Sequence, residues 1–235
     1  MNLSKIIDIL ENWAPLSHAE DFDNVGLLVG DVNSNINKAL ITLDTTHEVI
    51  EEAIEKKCNL VLTFHPLIFE PLKSINYENR VQKIIIKAIK NNINIYCIHT
   101  NLDNNSRGVN YKICQKLKIK NLNFLIPNKL NESIGMGMYG NIENSYYGHE
   151  FINYIKKQMD IKHVRHSKIL NKRIEKVAVL GGSGSFGINN AIEKKIDCYI
   201  TSDLKYHDFF KANNKILLID IGHYESEKFT KELIY

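Results

Sequence analysis

The chain has 235 residues, 44% of them hydrophobic and 24% charged, which suits one large or two small folded lobes and excludes a disordered chain. Thirty Lys and Arg against 27 Asp and Glu leave a net charge of +3, too slight for the basic field that nucleic acid or an anionic membrane surface demands. The sequence contains no run of 18 apolar residues and no secretory leader pattern, so the protein is expected to stay in the cytoplasm. Its cysteines (Cys58, Cys97, Cys114 and Cys198) are widely spaced and are expected to be reduced packing residues.

Ser4 reads as the cap of an amphipathic helix through Ile6, Ile7, Leu10 and Trp13, stopped by Pro15. After a polar approach ending in DNVGLLVGD, residues 38–44 read as a buried strand, 46–57 as a helix, 59–65 as a strand, 79–92 as a helix and 93–100 as a strand. This alternation predicts βαβ units and parallel pairing. In the middle of the chain, GMGMYGNI predicts a strand, residues 148–159 a helix, and 162–170 another strand. The rhythm resumes with a strand at 176–180, a glycine-rich turn (GGSGSFG), a helix near 188–195, and a strand at 197–201. A short helix near 205–212, a strand at 215–221 and a closing helix from about His223 complete the chain. No repeat or linker divides it. The expectation is therefore an α/β protein with a mixed, largely parallel sheet, a single intertwined unit over 1–235 with lobes near 1–124 and 125–235, its C-terminal segment returning to the first lobe.

Four predicted strands run into residues able to bind a metal: His65, the segment from His99 to Asp103, Ser202-Asp203, and the segment from His223 to Glu227. Functional groups gather beyond the carboxyl ends of strands in such folds, because loops there converge on a rigid edge. His223 and Glu227 stand four apart at a helix start and so share a face, and imidazole with carboxylate suits zinc, manganese or iron. The glycine-rich run fits either a tight turn or a phosphate cradle, although it matches neither the Walker pattern nor the dinucleotide fingerprint.

In this order, DNVGLLVGD, HPLIF, HTNLD, GGSGS, YITSDLKYHDFF and GHYESE resemble the family of GTP cyclohydrolase I type 2 homologues, or NIF-like proteins, over residues 23–227. The resemblance implies two interwoven α/β lobes, a homohexameric ring and a two-metal centre. It places the metal ligands on His65, Asp103, His223 and Glu227. Where the family has two adjacent histidines before the proline, this chain has Phe64 and His65, and a phenyl ring has no lone pair to give. One divalent ion is therefore expected to bind tightly per chain and the second to be weakened. The implied function is a metal-dependent hydrolase of a nucleotide-like small molecule, with His99 and His207 as candidates for proton transfer. The alternative is a metal-binding scaffold or regulatory ring without turnover.

Overall fold

Asn2, not Ser4, caps the first helix: its side-chain oxygen accepts a 2.9 Å hydrogen bond from the Ser4 N–H, which satisfies an orphan donor and starts the helix one residue before Ser4. The computed structural model describes all 235 residues and separates them into two compact units, one of residues 1–102 with 230–235 and the other of residues 103–229. The first unit opens with α1 (Leu3–Trp13) and continues through β1 (Gly26–Val29), β2 (Ala39–Thr42), α2 (His47–Glu55), β3 (Leu60–Thr63), α3 (Arg80–Lys90) and β4 (Asn94–Cys97). The chain leaves this unit within the short helix α4 (Thr100–Asp103). Its four-stranded sheet has the order β1-β4-β3-β2, with β2, β3 and β4 parallel and β1 added antiparallel to β4. Every residue of β3 and β4 is buried, as expected of central, largely apolar strands, including the polar Thr63 and Asn94 at their ends. Ile50 and Ala53 of α2 and Ile84 and Ala88 of α3 pack with Val61 and Ile95 to form the core. Both helices stop at residues in the left-handed conformation, Lys57 and Asn92, which turn the chain back into the next strand.

The second unit contains α5 (Val109–Lys116), β5 (Ile119–Pro127), β6 (Gly135–Tyr147), α6 (Gly148–Met159), β7 (Arg165–His166), β8 (Arg173–Ser183), α7 (Ile188–Glu193), β9 (Cys198–Ser202), β10 (Leu217–Asp220) and α8 (His223–Glu227). Its six strands are ordered β5-β6-β8-β9-β10-β7. β8, β9 and β10 run parallel at the centre, and the pairs β5-β6, β6-β8 and β10-β7 are antiparallel. The mixed α/β class expected from the sequence holds. In the six-stranded sheet, however, the parallel pairs form the middle and antiparallel strands extend both sides, whereas in the four-stranded sheet an antiparallel strand is added on one side only, at β1.

Other departures are local. The strand expected at 162–170 shrinks to Arg165–His166, because beyond it Ser167 bonds to Leu218 through its backbone N–H and its hydroxyl instead of continuing the ladder. The expected closing helix breaks after Glu227, and α9 (Thr230–Ile234) belongs to the first unit, beside β2. All four cysteines are unpaired and buried, and burial holds the thiols of Cys97, Cys114 and Cys198 above their ordinary range, as packing residues require. No helix is long and apolar enough to cross a membrane.

Candidate metal centre

In the first unit, the parallel register of β3 and β4 carries His65 and His99 out of neighbouring strand ends, and their rings meet edge-on with centroids 5.4 Å apart. The His65 backbone N–H extends the ladder to the Leu43 carbonyl at 2.8 Å. Its Nδ1 lies 3.0 Å from Asp44 Oδ1, which turns Nε2 to the buried edge of the ring. Phe64 is fully buried, with its ring centroid 5.1 Å from that of His65 and 5.2 Å from that of His99. It packs against both imidazoles and offers neither of them, nor any ion, an electron pair.

His99 is held from the DNVG segment. Its Nδ1 is 2.9 Å from Asp23 Oδ1, while the other Asp23 oxygen accepts from the Thr100 N–H at 3.0 Å and the Thr100 hydroxyl at 2.5 Å. Burial would raise the Asp23 carboxyl, but the hydrogen bond and charge of His99 and the Thr100 bonds outweigh it and lower the pKa to about 2. The role of Asp23 in orienting His99 has no local signature, since 76 residues separate the two.

In the second unit, the parallel strands β8, β9 and β10 end in Ser183, Ser202-Asp203 and, after a glycine, His223. His223 and Glu227 do share a face of α8: the imidazole Nε2 is 3.2 Å from Glu227 Oε2, and the Glu227 side chain is 3% exposed. His223 Nδ1 lies 2.6 Å from Asp203 Oδ2. With carboxylates on both nitrogens, the imidazole is pushed up to about 9, first by the hydrogen bond to Glu227, against the opposing effect of burial, and then by the charges of Glu227 and Asp203. Asp203 is lowered in turn: burial would raise it, and bonds from Ser183 and His223 outweigh that.

Gly182 forms one wall of this pair. A Cβ there would stand 2.5 Å from Glu227 Oε1, and the backbone is left-handed at φ +69°. Only glycine allows the strand to lie so close to the carboxylate. Its N–H donates to Ser226 Oγ at 2.9 Å, and that of Gly181 to Asn110 Oδ1 at 2.9 Å. Gly184 packs against Thr201, where a Cβ would meet Oγ1 at 2.0 Å. The glycine-rich run thus serves close packing, and the N–H groups of Gly181, Gly182 and Gly187 are already engaged within the protein, which takes these three donors away from a phosphate cradle. Asn110 also donates to the Asp103 carbonyl at 3.2 Å, which ties the buried Asp103 to the strand end that faces Glu227. His207 is elsewhere: it is exposed on a 3₁₀ turn (Tyr206–Ala212), and its ring packs against Tyr206 and Phe210 rather than His223 or Glu227.

The donors fit a divalent cation. A carboxylate as buried as Glu227 needs a positive partner, which the His223 imidazolium supplies and a metal would replace, and imidazole nitrogen with carboxylate oxygen suits zinc, manganese or iron. The fold and this pair define a two-sheet α/β protein with a half-exposed imidazole set against a buried carboxylate, a couple whose donor atoms suit a divalent metal. The chain belongs to the Duf34/NIF3 (NGG1p interacting factor 3) family, whose description matches residues 1–235. It is 36% identical over 231 residues to a Clostridium acetobutylicum protein named GTP cyclohydrolase 1 type 2 homolog, covering 97% of this chain and 85% of that one. Among solved structures, a Staphylococcus aureus hypothetical protein superimposes with a TM-score of 0.89 at 31% identity, covering 96% of this chain and 87% of that one. A Bacillus cereus protein related to NIF3 superimposes with a TM-score of 0.92 at 25% identity, covering 100% and 92%.

Proposed function

We propose that this chain binds a divalent metal ion through His65, His223 and Glu227, with Asp103 as a further carboxylate ligand, and uses it to hydrolyse a nucleotide-like small molecule. The observation that carries the reading is the His223–Glu227 pair, because a deeply buried glutamate in contact with an imidazole and walled by a glycine is costly to keep unless it holds a cation. The hydrolase class and the nucleotide substrate follow from the names of the relatives, GTP cyclohydrolase 1 type 2 homologues. A bound ion of this kind would supply Lewis acidity toward water and toward an oxygen or nitrogen lone pair of the substrate, making the carbon bonded to it more electrophilic.

The protein's own groups supply the rest. His65, with Nδ1 turned to Asp44, offers Nε2 as a ligand atom. His99, with Nδ1 held by Asp23, offers Nε2 as the site that takes and returns a proton. Glu227 contributes charge and up to two oxygens. We propose further that the working form is a homohexamer, as the family resemblance implies.

The rival reading, a metal-binding scaffold without turnover, is favoured by Phe64, which places a fully buried ring where a second ion would need a donor. Incubating the purified chain with GTP and manganese or zinc, and following the ring-opened product by absorbance and mass, separates the two. Product formation that disappears in Glu227→Ala supports the hydrolase; metal binding without product supports the scaffold.

A further inference from the structure

Building on the metal reading, we propose that Asp203 is the positioning residue of His223, standing behind the imidazole and outside the ligand set. The carboxylate of Asp203 can only accept, so a bond of 2.6 Å to His223 Nδ1 requires the proton to sit on Nδ1. In the metal-free pair Nε2 donates to Glu227; a metal would displace that proton, and Nε2 is then the nitrogen that presents its lone pair, because Asp203 keeps the proton on Nδ1. A carboxylate behind a ligating histidine fixes both ring rotation and tautomer and makes the imidazole a stronger donor.

The surroundings of Asp203 are built to hold this geometry. Ser183, at the end of β8, donates its hydroxyl to the same Asp203 oxygen. Asp203 itself occupies the left-handed region at φ +57°, a conformation that a non-glycine residue keeps only when its neighbours enforce it. The enforcing group is Asp220, which is 4% exposed at the end of β10. Its Oδ2 accepts from the Leu204 N–H at 2.9 Å, just after Asp203, and its Oδ1 accepts from the Gly222 N–H at 3.0 Å, just before His223. Arg165 bonds to both the Asp220 carboxylate and, at 2.8 Å, the Leu204 carbonyl. One buried carboxylate therefore anchors both loops whose side chains must meet.

The test is zinc titration of the metal-stripped full chain, combined with nitrogen NMR of labelled histidine. In the wild type, zinc should sit on Nε2 of His223 while Nδ1 keeps its proton. Asp203→Ala should weaken zinc binding by about ten- to a hundredfold without abolishing it, and Asp203→Asn, whose amide carbonyl still accepts, should fall between. Ser183→Ala leaves both loop backbones intact and covers the case in which Asp203→Ala fails to fold; it should cost a smaller, several-fold loss. Zinc on Nδ1, unchanged affinity in the Asp203 variants, or a loss as complete as that of Glu227→Ala would each overturn the inference. A wild type that binds no zinc would sink the metal reading and this inference together, whereas normal wild-type binding with unaffected variants would sink this inference alone.

Discussion

Asp23 has a fully buried carboxylate whose charge is held by His99 and Thr100, and acid should expose its contribution to stability. Its folded pKa of about 2 lies below the ordinary 3.8, so the stabilisation is present in full above the unfolded value and is lost as pH falls through the folded one. The difference corresponds to about 2 kcal/mol. Denaturant titrations should find wild type more stable than Asp23→Asn by roughly that amount at neutral pH, with the gap closing between about pH 4 and pH 2; a gap that persists at pH 2 would show that the charge is not its source. Phe64 makes the opposite kind of statement, a core side chain standing where the family resemblance expects a donor. Elemental analysis of the protein as isolated should find about one ion per chain, rising toward two in Phe64→His. Two firmly held ions in the unaltered chain would point to a substitute ligand.

At the scale of elements, the end of β8 and the start of α8 form one contact. Gly182→Ala places a methyl 2.5 Å from Glu227 Oε1 and forces an L-residue to φ +69°, so it should lower stability by about 1–3 kcal/mol and weaken metal retention together. On α8, Glu227→Ala should release nearly all bound metal and His223→Ala only part, since a carboxylate has two oxygens to offer and an imidazole a single nitrogen. Equal losses measured by elemental analysis would refute that ranking. Elements with a clean period were legible from sequence: the helix expected at 148–159 coincides with α6, and the strands at 38–44 and 59–65 contain β2 and β3. Residues 104–124 were not legible. α5 is short and capped by Gly108 without a side-chain bond, while β5 is a partly exposed edge strand whose apolar residues follow no alternation. Its place in the sheet comes from pairing with β6, which a local pattern does not encode.

Across the whole molecule, each unit has its own apolar core, one around Ile50, Val61 and Ile95 and the other around Leu180, Tyr199 and Leu218. The proposed ligands come from distant parts of the sequence, His65 and Asp103 from its first half and His223 and Glu227 from near its end. An ion that binds only the native state stabilises it by about 2.7 kcal/mol at a hundredfold excess over its Kd. Zinc or manganese should therefore raise the melting temperature in proportion to the logarithm of its concentration, and a chelator should reverse the gain; an unchanged melting temperature on stripping the metal would count against the centre. Sedimentation at micromolar concentration should find a homohexamer, and a monomer there would remove the proposed ring.

The sequence by itself determined the α/β class, the strand ends that carry His65, His99 and His223, and the pairing of His223 with Glu227, because each is written in local spacing: apolar periods, strand boundaries and a four-residue helical step. The tertiary structure alone decided that Asp23 holds His99, that Asp203 holds His223, and that Asn110 joins Asp103 to Gly181 across 71 residues. It also decided that Gly181 and Gly182 serve packing rather than phosphate, since their N–H donors are taken by side chains from distant segments. A hydrogen bond between residues far apart in the chain depends on strand order and register, and no periodicity in the sequence records which loops the sheet will bring side by side.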